Sequence, residues 1–140
     1  AIVGAAVAVL SYIFGEHWIL FALFLGLNII DWLTGWIKAK ITGSESSKTG
    51  LIGILKKFAY WMVVIASFSL SAAFVEVGKI IDMDLGVTTL LGWFVLASFL
   101  VNEGRSICEN FVEMGVEVPK VLVKGLQVAN KVVNQEDDNE

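Results

Sequence analysis

Residues 58–75 read FAYWMVVIASFSLSAAFV, a run long enough to cross a bilayer without a single charged side chain. At about 1.5 Å per helical residue it covers about 27 Å, close to the roughly 30 Å hydrocarbon core. Two further runs behave alike. Residues 85–102 carry no charge, and 18–37 carry only Asp31. The whole chain has 140 residues, of which 56% are hydrophobic and 17% charged. Its mean hydropathy is +0.75. A chain this short cannot hide so much apolar surface in a water-soluble core. The expected fold class is all-α, a small polytopic membrane protein with three or four transmembrane helices and a cytoplasmic amphipathic C-terminal helix.

The fourth span would come from AIVGAAVAVLSYIFG (1–15), short and rich in small residues. We read it as a short first span rather than a cleaved leader, since no charged segment precedes it. Expected helices cover about 2–14, 18–37, 55–75 and 85–114, forming a membrane domain over 1–115. An amphipathic helix over 116–133 and an acidic, disordered tail over 134–140 follow. Gly115 suits a helix stop and Pro119 a new start. Leu122, Leu126, Ala129 and Val133 then form an apolar stripe, beside Lys120, Lys124 and Lys131. Such a helix fits either an anionic membrane surface or a partner subunit.

Net charge is −4, but the distribution matters more. Lys38, Lys40, Lys48, Lys56 and Lys57 crowd the connection after the second segment, and Arg105, Lys120, Lys124 and Lys131 follow the last. Only Lys79 lies between the third and fourth. The positive-inside rule places the 38–57 loop and the C-terminus in the cytoplasm, with EVGKIIDMD (76–84) outside. That orients the chain across a membrane.

Asp31 interrupts an apolar helix, so its surroundings are the central question. At about 100° per residue, Asn28, Asp31, Gly35 and Lys38 share one stripe. Facing lipid it would be costly, so it should meet protein or water. It is either a pore-lining or gating face, or a helix contact in which Asn28 hydrogen-bonds and Asp31 meets a lysine such as Lys56 or Lys57. Glu103, Arg105 and Glu109 are further candidate charge partners. Small residues mark expected packing faces: Gly4 with Ala8, Ala22 with Gly26, and Ala59, Ala66 and Ala73 with Ser69. Trp18 suits the outer interface, Trp36 and Trp61 the inner one, and Trp93 a mid-membrane helix contact. His17 and Cys108 are the only residues of their kinds. No phosphate loop, metal cluster or nucleophile with a base is present, so neither enzyme chemistry nor a cofactor nor nucleic-acid binding is expected.

DWLTGWIKAK, SSKTGLIGILKK and NEGRSICENFVEMGVEVPKVL, in this order, resemble the phage lysis and toxin-secretion holin family, which includes the clostridial toxin-secretion holins. The resemblance covers about 15–131. Asp31, Thr34 and Gly35 fit its D-x-x-T-G element, and Ser47, Gly50, Lys56 and Lys57 its basic loop. Asn102, Glu103, Ser106, Glu109, Asn110, Gly115, Pro119 and Lys120 fit its C-terminal signature. The acidic end departs from the family's more usual basic finish. The resemblance implies a holin, which forms homo-oligomers in membrane lipid and opens lesions. Through these an endolysin or an exported toxin would leave, giving host cell lysis or secretion. An antiholin would be a further partner. The alternatives are an antiholin that delays a related holin, and a small selective channel or transporter subunit.

Overall fold

The computed structural model describes residues 1–134, so the acidic tail falls outside the described residues except for Asn134, which closes the last helix. Among the described residues the regular structure is helical throughout: α1 (Ile2–Phe14), α2 (Trp18–Thr42), α3 (Ser47–Ile81), α4 (Leu90–Glu113) and α5 (Lys120–Asn134). Short 3-10 turns at Gly15–His17 and Gly86–Thr89 lead into α2 and α4.

Each boundary has a local cause. Gly43 ends α2 in the left-handed region at φ 68°, donating its N–H to the Ala39 carbonyl, as a residue without Cβ does at little cost. The Ser46 hydroxyl accepts from the Thr49 N–H and opens α3. Asp82, also left-handed at φ 55°, closes α3. Its neighbour Met83 folds back to donate to the Gly78 carbonyl at 2.9 Å. A Cβ on Gly78 would lie 2.4 Å from the Met83 carbonyl oxygen, so this return needs glycine. At the end of α4, Gly115 takes φ 82°. Val116 then donates to the Phe111 carbonyl.

Three helical stretches are long and apolar enough to cross a membrane: Gly15–Thr42, Ser47–Ile81 and Gly86–Glu113. With 13 residues, α1 is not among them. Its length is about 20 Å, well short of the hydrocarbon core. Of the three or four spans expected, three are present. Two run well beyond their apolar stretches. Helix α2 continues to Thr42 and α3 begins at Ser47, leaving only Gly43–Ser46 between them. Most of the expected 38–57 loop is thus a helical hairpin. Lys40 in the last turn of α2 complements the helix dipole, and nothing in SKTGLIGILKK stops a helix once Ser46 has capped it. The other end of α3 likewise carries helix through Glu76–Ile81.

Helix α4 is the hub, its backbone close to both α2 and α3, while α2 and α3 stand further apart and meet through long side chains. Phe21, Phe24, Val64 and Leu96 form the buried centre. Aromatic rings surround it: Phe24 lies 5.0 Å from Trp61, and Tyr60 stacks on Phe99 at 4.5 Å. Trp93, one turn into α4, packs edge-on to Phe68 of α3 and to His17. Trp61, one turn beyond Lys57, packs against this centre. At Gly92 the space between α4 and α3 is filled: a Cβ there would lie 2.6 Å from the Phe68 ring. The small residues expected to pack lie elsewhere. Gly4, Ala8, Ala59, Ala66, Ser69 and Ala73 are exposed, Ala22 and Gly26 are half-buried, and a Cβ on Gly26 would meet nothing. Among the described residues, then, the face formed by Ala59, Ala66, Ser69 and Ala73 is exposed.

Candidate functional site: a charged cluster joining three spans

Lys57 immediately precedes the charge-free run of α3, and Glu103 immediately follows that of α4. Both therefore stand at the same edge of the apolar slab. Asp31 reaches this edge from α2. The three side chains converge: Lys57 Nζ lies 2.6 Å from Asp31 Oδ2 and 2.5 Å from Glu103 Oε2. Their side chains are only 16%, 13% and 2% exposed for Lys57, Asp31 and Glu103. One ammonium thus serves two carboxylates, and each of the three spans supplies one charge.

Asn110 completes the Asp31 side. Its Nδ2 donates to Asp31 Oδ1 at 3.0 Å and to Thr34 Oγ1 at 3.1 Å. Thr34 in turn donates to the Asp31 carbonyl at 3.1 Å. An acid and a threonine three residues apart occupy one helix face, so a single amide on α4 can clasp both. Gly35 lies next to them. A Cβ there would be 3.7 Å from Asn110 Nδ2, an ordinary contact. One turn beyond, Lys38 Nζ pairs with Glu113 Oε2 at 3.3 Å in a more open setting.

Asn28 lies on the other side of the cluster, 4% exposed. Its Oδ1 accepts from Trp61 Nε1 at 3.1 Å. Its Nδ2 is buried on the Glu103 side of the cluster.

All four residues of the polar stripe, Asn28, Asp31, Gly35 and Lys38, face neighbouring helices of the same chain. Of the candidate charge partners, Lys57 and Glu103 join Asp31. Lys56, Arg105 and Glu109 are exposed and stand outside the cluster. Sequence reasoning missed Asn110, Thr34 and Trp61 as site residues. A signal for Asn110 existed: Leu96, Glu103 and Asn110 recur every seven residues and are all buried on α4. Among the described residues no group of three or more His, Cys, Asp or Glu side chains is placed to hold a metal. What the arrangement can do is electrostatic: fix three helices to one another by charge and hydrogen bonds.

The bacteriophage holin family profile matches residues 8–131, which include every residue of this cluster. The chain belongs to the bacteriophage holin family. Holin-family relatives in its neighbourhood include a probable holin of Bacillus phage phi105, 34% identical over 118 residues, covering 84% of this chain and 78% of that one. An uncharacterized protein of Halalkalibacterium halodurans is 34% identical over 128 residues, covering 91% of this chain and 88% of that one. An uncharacterized 14.9 kDa protein from the nagH 3′ region of Clostridium perfringens is 31% identical over 121 residues, covering 86% and 83%. No solved structure matches the chain. Holin membership agrees with three apolar helices and makes this a phage-type membrane protein.

Proposed function

We propose that the chain acts as a holin. Copies gather in the bacterial cytoplasmic membrane and open lesions through which an endolysin, or an exported toxin, leaves the cell. The observation that carries this reading is the buried Asp31–Lys57–Glu103 cluster, which ties three spans together at one edge of the membrane. While it holds, the polar stripe of α2 is turned inward on α4 and α3 and is kept from lipid. For the same stripe to line water, α2 must part from both α3 and α4, breaking the Asp31 contacts to Lys57 and Asn110. Asn28, Asp31, Gly35 and Lys38 are then the surface exposed by opening, and Asp31 is the residue that couples packing to it.

The outward face of α3 offers the means of assembly. Ala59, Ala66 and Ala73 with Ser69 are exposed. Small residues allow backbones of neighbouring copies to approach closely where lipid supplies no hydrophobic drive. Orientation follows from charge: the hairpin tip at 43–46 and the C-terminus face the cytoplasm, because nine of the ten cations lie on that side. An antiholin with the same spans would act by occupying the same surfaces.

Expression in a bacterium with reporters of graded size tests the proposal. Abrupt loss of membrane potential and release of large folded proteins are the expected results. Ion leakage alone would point to a small channel, and sustained growth with intact potential after confirmed insertion would overturn the reading.

A further inference from the structure

Helix α5 has two apolar sides, and among the described residues only one is packed. Leu126, Ala129 and Val133 are half-buried. Leu126 lies over Gly104 of α4, where an added Cβ would be 2.9 Å from Leu126 Cδ2. The second side consists of Val121, Val128 and Val132, which are 79%, 63% and 68% exposed. Lys120, Lys124 and Lys131, all exposed, edge this valine strip. At about 100° per residue, the lysines centre about 80° from the valines and the docked side about 110° beyond them. No acidic residue occurs between Pro119 and Asn134.

The level of α5 matters as much as its faces. Gly104 follows Glu103, where the charge-free run 85–102 ends. The middle of α5 is therefore held beside α4 at the edge of the apolar slab. We propose that the Val121, Val128 and Val132 side of α5 binds an anionic bilayer surface. The valines enter the boundary between headgroups and acyl chains, and Lys120, Lys124 and Lys131 reach the phosphates. Each lysine near such a surface contributes roughly fivefold in binding. A second copy is the weaker occupant, because a two-fold contact through this side would bring like lysine stripes together.

The test uses the full chain in lipid nanodiscs at one copy per disc, in phosphatidylcholine alone or with phosphatidylglycerol added. An environment-sensitive fluorophore on Val128→Cys reports the valine side, and the parent chain with its buried Cys108 gives the background. Phosphatidylglycerol should shift the emission to the blue and slow an aqueous quencher several-fold. Combined Lys120→Gln, Lys124→Gln and Lys131→Gln should abolish the difference, and a label on Val121→Cys should report the same change. Equal quenching in both lipids overturns the proposal. So does protection that follows the number of copies per disc and ignores lipid charge, which would assign this side to a second copy. The inference rests on the membrane reading of the three spans and not on lesion formation. A chain that opens no hole would still show the lipid-dependent shift, so the two readings fail separately.

Discussion

Lys57 serves two carboxylates, so the charged members of the cluster are not equivalent. Removing Asp31 leaves one ammonium with one carboxylate, a balanced pair. Removing Lys57 leaves two buried carboxylates, one of them Glu103 at 2% side-chain exposure, with no counter-ion. Breaking a buried pair from one side costs about 3–5 kcal/mol. Lys57→Met should therefore lower the thermal stability of the purified protein by that order, and Asp31→Asn by clearly less. An equal loss in both variants would show that the charges are not shared as described. In cells, Asp31→Asn should leave insertion intact and shift or abolish the lysis time at matched expression. Unchanged timing would reduce Asp31 to a packing contact. A full charge crossing the membrane field changes in energy by about 2.3 kcal/mol per 100 mV. In the proposed opening, Asp31, near one edge, would feel only a fraction of that, so depolarisation would act on it as a bias rather than as the sole trigger.

At the scale of elements, α4 depends on one close approach. Gly92 admits the Phe68 ring where a methyl group would stand 2.6 Å from it. Gly92→Ala should destabilise the bundle by about 1–3 kcal/mol through overpacking, and Phe68→Leu should recover part of the loss in the double variant. A neutral Gly92→Ala, measured by thermal unfolding in detergent, would mean that α3 and α4 are less tightly apposed. The same helices show what sequence periodicity can and cannot carry. The stripe Asn28, Asp31, Gly35 and Lys38 was legible because residues spaced by helical turns share a face whatever surrounds them. Which helix would meet that face was not: Asn110 lies 79 residues from Asp31 in sequence, and spacing places it on a face without naming the facing helix. The lengths of α2 and α3 were underestimated because the apolar run marks what lipid tolerates, whereas the helix stops only at Gly43 and Asp82. The small-residue stripes were visible too, but the intrachain contacts went to single glycines at 92 and 104, where one large side chain of the partner helix fills the gap.

The whole molecule is asymmetric from end to end. One end holds the helical hairpin around Gly43–Ser46, with Lys38, Lys40, Lys48, Lys56 and Lys57, and α5 with its three lysines. The other holds the turn at Asp82–Leu85, with two acids and Lys79 nearby. Because the spans bury few side chains against one another, the closed protomer resists water mainly through its aromatic centre and the charged edge. In the orientation and opening proposed above, a lesion would make the hairpin tip reachable from outside. Two exposed positions read this directly: Ser44→Cys in the hairpin tip and Met83→Cys in the acidic turn. With an impermeant maleimide on intact cells before triggering, Met83→Cys should label and Ser44→Cys should not. After triggering, Ser44→Cys should label as well, on the same time course as loss of potential. Labelling of Ser44→Cys before triggering, with Met83→Cys protected, would invert the orientation. Labelling of Ser44→Cys that never follows the fall in potential would mean that the fall comes from a pore too narrow for the reagent, and a protein-sized lesion could not be its cause.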